Sequence, residues 1–359
     1  MPLIMNVKVA RLNGLASRAC ELCHRREGTL LRCSACQSIY YCGRDCQAKD
    51  RETHKTPCKL IKKARLLYED EDHKLRNSPD DPFLPENIFE NFAGRFWGIL
   101  ETRPYMRARY HLVDTILLSY GTAGGPVDSV KTSLDHLLDM IRLCRGDNLG
   151  VRQVVPALYI RLGRDQDAYD FMKWYGTAGK SRRYDWGNMD LPFLDVRGAD
   201  ALEPPTPWLR ECLLDFSHTV AVMLIKVRVL LDPQSIHNTR IALTGAIPQE
   251  VIEMIREQLV GSIVASRQNI LLGTTEETTQ LAEVMKKQIK DLYTAIQKYN
   301  PYFWNLLIND PDAGVLRRPN GGYTHWSKEE ALLVLGFNYA AWYETMGAMD
   351  MLRKLNKAA

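Results

Sequence analysis

A mainly α-helical chain with a small cysteine-rich module at its front is the fold class the sequence predicts, and three observations predict it. Seven of the nine cysteines fall between Cys20 and Cys58, a span of 39 residues, while the other 320 positions hold only Cys144 and Cys212. Beyond about residue 86 the apolar residues recur at helical spacing, with little of the alternation that strands require. Finally, 45% hydrophobic and 25% charged residues in 359 form an ordinary globular composition, which excludes a mainly disordered or collagen-like chain. That length corresponds to about two domains. A formal net charge of +4 does not by itself argue for a nucleic-acid partner.

The compartment decides what the cysteines are for. The N-terminal stretch MPLIMNVKVARLNGLASRAC lacks the apolar core and cleavage site of a secretory signal. The apolar run from Val220 to Ile225 is broken by Lys226 and Arg228, far short of the roughly 20 residues a span needs. The expectation is therefore an intracellular protein, cytoplasmic or nuclear, with no membrane partner. In a reducing compartment, dense cysteine signals metal rather than disulfides, and seven is an awkward number for pairing.

The residues read Cys20-x2-Cys23-x9-Cys33-x2-Cys36-x5-Cys42-x3-Cys46-x7-His54-x3-Cys58. These are eight ligands. Structural zinc takes four, tetrahedrally, so the count gives two Zn²⁺ per chain with none left over. A C-x2-C turn sets two sulfurs on one cation. Cys42/Cys46 and His54/Cys58 are i,i+4 pairs that a helical turn brings to one face. Thiolates with one imidazole suit zinc. Every ligand is a protein group and no position is open to water, so the expected sites are structural rather than catalytic. The spacing leaves sequential and interleaved pairing of the ligands both open. His24, beside Cys23, is read as a solvent-facing neighbour.

Residues 20–58 resemble the MYND-type zinc finger at every ligand. Tyr41 before Cys42, and Gln47 and Asp50 leading to His54, also fit. The resemblance implies interleaved pairs: Cys20, Cys23, Cys42 and Cys46 on one zinc, and Cys33, Cys36, His54 and Cys58 on the other. It also implies a protein-interaction module, since several such fingers bind short proline-containing peptides in transcriptional co-regulators. The family usually places Trp after the Asp; here that residue is Arg51, which removes an apolar platform for a proline ring but leaves zinc binding untouched. Arg51 can instead stack on or pair with an acidic peptide.

The module is rich in cations: Arg18, Arg25, Arg26, Arg32, Arg44, Lys49, Arg51, Lys55 and Lys59. A four-thiolate zinc site carries −2 and a three-thiolate, one-histidine site −1, so cations nearby are favourable for that reason alone. No aromatic and basic alternation marks a platform for single strands, and nucleic acid is not expected. Seven thiolates and two Zn²⁺ take the formal +4 to about +1 in the zinc-loaded form.

The stretch 59–68 continues as a basic amphipathic helix. Glu69 to Asp72 and Pro79, Pro82 and Pro85 then read as a linker. The expected divisions are a leader over 1–19, the finger over 20–58, a helix and acidic, proline-containing linker over 59–86, and a helical domain over 87–359. Within that domain Val154, Leu158 and Leu162 share a face, Gly163 ends the helix, and Asp165 is an expected N-cap for a second helix through Met172. Such a hairpin is the building block of helical-repeat folds. Further helices are expected over about 208–231, 249–272 and 278–299. Breaks are expected at 176–207 and near 232–248. Asn300-Pro301 opens a short helix through Leu307. Ser327 with Glu330 reads as a capping box before Ala331 to Tyr343. No strict 34-residue period is present, so the body is expected to be a repeat-like, α-solenoid-type array with degenerate repeats. It also resembles fungal proteins that carry a MYND finger before a helical region, through 161–175, 184–195 and 300–309.

Catalytic signatures are missing. A SET-type lysine methyltransferase needs an Asn-His-Ser-Cys-type segment and a strand-rich pattern, and neither Cys144 nor Cys212 has that context. Asp165, Asp167 and Asp170 lack the Gly and bidentate Glu of a calcium loop and read as capping and solvated groups. Asp185, Asp190, Asp195 and Asp200 read as loop polarity. Cys144, Cys212 and the seven Trp read as core residues. The expected function is a non-enzymatic zinc-binding adaptor that engages protein or peptide segments through the finger and the helical body. A transcriptional or chromatin co-regulator is the alternative, and a divergent SET-type methyltransferase a more distant one.

Overall fold

Helices dominate the computed structural model, which describes residues 14–77, 85–181, 183–209, 215–243, 259–271, 273–319 and 322–358. Pro79, Pro82, Cys212, most of the 1–19 leader and the first part of the helix expected over 249–272 lie outside the described residues. No helix among the described residues is long and apolar enough to cross a membrane. The chain forms two compact units, one from Leu15–Leu158 with Asp185–Phe193, the other from Tyr159–Tyr184 with Leu194–Ala359.

The first unit contains the cysteine-rich module. Strands β1 (Leu31–Arg32) and β2 (Tyr40–Tyr41) pair antiparallel, with Leu31 opposite Tyr41. They lead into α1 (Arg44–Lys49) and α2 (Arg51–Arg76). Helix α2 buries His54, Pro57, Ile61 and Ala64 along one stripe at three- to four-residue spacing. The acidic run Glu69–Asp72, expected in a linker, instead continues this helix. Three of its four carboxylates are paired within the last turns: Asp70 and Glu71 with Lys74, and Asp72 with Arg76, at 2.7–2.8 Å. After α3 (Ile88–Asn91), α4 (Thr102–Tyr120) packs along α2, and α5 (Val127–Leu143) packs on α4. Arg109 of α4, buried, pairs with Asp139 of α5. Cys144 ends α5 as a buried thiol.

One apolar cluster joins Cys20, Cys33, Cys36, Ile39 and Tyr41 to Ile61 and Ala64 of α2 and to Leu112 and Ile116 of α4. The cysteine-rich module therefore shares its core with a helix more than fifty residues downstream. A 39-residue module buries little apolar surface by itself, and α4 supplies what it lacks.

Helix α6 (Val155–Arg161), whose last three residues belong to the second unit, and α7 (Asp165–Gly176) form the expected hairpin, turning at Gly163, whose φ of 70° suits glycine. Asp165 is not the N-cap; Arg164 is. Asp165 is buried, pairs with Arg228 of α8 (Phe216–Leu243) at 3.1 Å and accepts from the Ser262 amide at 2.8 Å. Asp170 is buried too and accepts from the Gly198 and Ala199 amides. Of the three aspartates, only Asp167 faces solvent, paired with Arg164. Helix α8 also differs from expectation. Trp208 closes a short 3-10 turn, and α8 continues past Pro233 through 232–243, where a break was expected. Pro233 removes one hydrogen bond without ending the helix. The described part of 249–272 is two short helices, α9 (Ser262–Ala265) and α10 (Gln268–Leu271). The chain restarts at Ser262 because buried carboxylates hold the amides before it: Asp232 accepts from Val260 and Gly261, and Asp165 from Ser262.

Helix α11 (Thr275–Tyr299) starts with a complete capping box, Thr274 with Glu277. Then come α12 (Phe303–Asn309), α13 (Ala313–Leu316), α14 (Lys328–Glu344) and α15 (Ala348–Ala358). At α14 only half of the expected box forms. Ser327 accepts from the Glu330 amide, but the Glu330 carboxylate accepts from the Trp326 amide at 2.6 Å and pairs with His325. Trp326 is left at φ 67° and 63% exposed, so the core reading fails for it, while Trp174, Trp208, Trp304 and Trp342 are buried. Gly314 and Gly336 let α13 and α14 touch backbone to backbone; a Cβ on Gly314 would lie 2.5 Å from the Gly336 nitrogen.

Lys226 is fully buried in α8 and donates to the carbonyls of Ala201 (2.7 Å) and Glu203 (2.5 Å). Burial pushes its ammonium down to about 7 from the usual 10.5. Lys226→Met should cost about 2–4 kcal/mol, because two carbonyls lose their donor. Between those two pKa values the unfolded chain holds the extra proton, so this group makes stability rise as pH increases from about 7 to about 10.5. Urea titrations at neutral and alkaline pH check both statements: the rise should shrink in the variant, and an unchanged slope would contradict it.

Candidate metal centre

Each Cys-x2-Cys pair is held by the same local device. The amide of the residue after the second cysteine donates to the carbonyl of the first, His24 to Cys20 and Gln37 to Cys33, both at 2.9 Å. His24 and Gln37 are left-handed, with φ of 58° and 52°, at about 1–2 kcal/mol each. The β1–β2 hairpin and an isolated bridge between Cys20 and Tyr40 place the two turns side by side. Cys42 follows β2 directly, Cys46 lies in α1, and His54 and Cys58 are one turn apart in α2.

The eight residues fall into two groups of four: Cys20, Cys23, Cys42 and Cys46, and Cys33, Cys36, His54 and Cys58. Of the two pairings open in the sequence, the interleaved one is observed. In each group the ligand atoms all lie within 4.8 Å of one another. Zn–S bonds of 2.3 Å in a tetrahedron require sulfurs about 3.8 Å apart, and a 2.0 Å Zn–N bond makes the mixed edge about 3.5 Å. The sulfur edges Cys23–Cys42, Cys42–Cys46 and Cys33–Cys58 are 3.6, 3.5 and 3.8 Å. His54 Nε2 lies 3.3 and 3.8 Å from the sulfurs of Cys33 and Cys36. Donor set and edges both fit zinc, which would cross-link β2, α1 and α2 to the Cys-x2-Cys turns and supply no open coordination position.

The two sites differ in surroundings. The second is largely buried, with Cys36 fully enclosed and His54 7% exposed, whereas Cys23 of the first is exposed. Burial pushes the Cys36 thiol up to about 12 and the hydrogen bond to Cys42 pushes Cys46 up to about 12, whereas, against the effect of burial, backbone hydrogen bonds pull Cys20 down to about 6. Zinc must displace those protons, so its affinity falls as the pH falls.

The supporting contacts explain two residues noted in the sequence and add two that were missed. Tyr41 donates its hydroxyl proton to Asp50 at 2.6 Å, tying β2 to the start of α2. Arg65 donates to the Cys36 carbonyl at 3.0 Å. Tyr120, at the end of α4, lies with its hydroxyl 2.7 Å from His54 Nδ1. With Nε2 facing the sulfurs, Nδ1–H donates to Tyr120, which fixes tautomer and ring orientation. Nothing in the sequence points to Tyr120, because its relation to His54 exists only once α4 packs on α2. Tyr120→Phe should weaken zinc at the second site by about 10- to 100-fold and leave the first unchanged. Competition with a zinc chelator should show one site released early, and two sites released as in the wild type would contradict it. Gln47, in α1, and Arg51, at the start of α2, are both exposed, and His24 is exposed and belongs to neither group.

Residues 20–58 match the family described as the MYND finger. No curated protein and no solved structure matches the chain. Residues 20–58 are thus a MYND zinc finger with two Cys/His zinc sites, set at the front of a mainly helical chain.

Proposed function

We propose that the chain is a non-enzymatic, zinc-dependent adaptor that binds protein segments through its finger and its helical body. The observation that carries this reading is the closed character of both zinc sites: four protein ligands each leave the metal no position for substrate or water. MYND fingers generally mediate protein–protein interaction, and here the surface carrying Gln47 and Arg51 is exposed. With Arg51 in place of an aromatic residue, that surface favours an acidic segment over a bare proline ring. The helical body is read as a degenerate array of helical pairs, on the model of the α6–α7 hairpin, offering a second surface.

Affinity capture from a cell extract, with intact chain and Cys33→Ala as paired baits, tests the reading. Proteins retained by the intact chain and lost from the variant are expected. Identical sets from both baits would show that the finger is only a structural cap.

A further inference from the structure

A cleft of ≈ 360 Å³ lies within the first unit, between the finger and the end of α4. This is the size of a small-ligand or side-chain pocket. More than half of its wall comes from outside the finger: Ala16 to Ala19, and beside them Ser119, Tyr120, Thr122 to Pro126 and Asp128. It is therefore distinct from the exposed Gln47 and Arg51 surface. Ala16, Ile39, Pro57, Ala123 and Pro126 supply an apolar lining.

The polar groups in this lining are mainly of one sign. Arg18 and Asp128 neutralise each other through two bonds, at 2.7 and 2.9 Å. Glu21 and Asp50 remain, with the His24 imidazole near Glu21. Asp50 accepts from Tyr41 through one oxygen, and among the described residues no hydrogen bond or ion pair reaches the Glu21 carboxylate. Cys20 and His54, one from each zinc site, also line it, so the −2 and −1 of the loaded centres add to the same negative potential. Apolar walls leading to two acids match a side chain with a methylene stem and a cationic head.

We propose that this cleft takes a lysine or arginine side chain from an extended segment of a partner protein, the stem lying against the apolar wall and the head between Glu21 and Asp50. The proposal deepens the adaptor reading and rests on it. It names a second recognition element, opposite in charge to the Arg51 surface.

The test uses the zinc-loaded full chain and immobilised pools of random nonapeptides, acetylated and amidated, whose central residue is fixed as Arg, Lys, Gln or Glu. The Arg or Lys pool should bind about tenfold more tightly than the Gln pool, as one charge-assisted hydrogen bond provides. That preference should fade with added salt. Comparing the Arg and Lys pools tells which head the cleft prefers. Glu21→Gln, an isosteric change in a side chain with no internal hydrogen bond, should abolish the preference while zinc content stays at two per chain. Equal binding of the Arg, Lys and Gln pools, no binding of the basic pools, or a preference that survives Glu21→Gln would each overturn the proposal. If it fails in this way while Cys33→Ala still loses captured proteins, the adaptor reading stands without it. If capture is also unaffected, both fail.

Discussion

Cys33→Ala is expected to lose zinc from the second site and to unfold more than the finger. The substitution leaves Cys36, His54 and Cys58 as an incomplete set, and structural zinc contributes on the order of 10 kcal/mol to a small finger. Two of those ligands sit in the first turns of α2, so the metal fixes the helix whose stripe packs on α4. Ile61 and Ala64 share one cluster with Cys33, Cys36, Leu112 and Ile116. The loss should therefore spread through α2 to the α4 contact. A sequence view, in which a linker separates finger and body, expects the helical signal to stay largely intact. The structure predicts a distinct drop in circular dichroism at 222 nm together with zinc content at or below one per chain. Two retained zinc ions, or unchanged helicity after zinc is lost, would contradict this.

Glu344→Ala should be the most damaging single change in the second unit. Glu344, at the end of α14, and Arg161, at the end of α6, form a bidentate pair at 2.8 and 2.9 Å, with both side chains 3% exposed. Removing one member takes the bidentate partner from a charge buried away from water, a change that typically costs about 3–5 kcal/mol, a large share of the usual 5–15 kcal/mol of domain stability. Replacing both by Leu should recover much of the loss, because the penalty comes from the unpaired ion rather than from losing the pair. Urea unfolding of the single and double variants distinguishes the cases. A single-variant cost below about 1 kcal/mol would show that the guanidinium reaches water or another partner. Zinc should remain at two per chain in both variants, since no ligand lies in this unit.

The sequence exposed the metal centre almost completely, because ligand spacing is a local property: a Cys-x2-Cys turn, an i,i+4 pair and a count of eight need no tertiary information. Spacing alone left the division of the ligands between the ions open; the resemblance to the MYND finger implied the interleaved division that is observed, which depends on the β1–β2 hairpin folding one turn onto the other. The start of α14 was legible because Ser327 caps its own helix, whereas the Thr274–Glu277 box starts α11 at Thr275, ahead of the expected 278. Capping roles were misjudged where a polar residue is used at long range. Asp165 reads as a cap and is instead spent on Arg228 and Ser262. Glu330 reads as the partner of Ser327 and instead serves Trp326 and His325. The acidic run 69–72 reads as a linker by composition, yet Lys74 and Arg76 in the following turn pair with three of its carboxylates and the helix continues. Tyr120 and the cleft beside it come from α4 packing on the finger, and neither has a trace in local sequence.

The central claim is two closed, interleaved zinc sites. The most direct test is metal content of the purified full chain combined with X-ray absorption at the zinc edge. The account predicts two zinc ions per chain, with first-shell donors averaging 3.5 sulfurs and 0.5 nitrogen over the four-cysteine and three-cysteine, one-histidine sites. Fewer than two zinc ions in protein whose cysteines have formed disulfides, or an oxygen donor in the first shell, would contradict it.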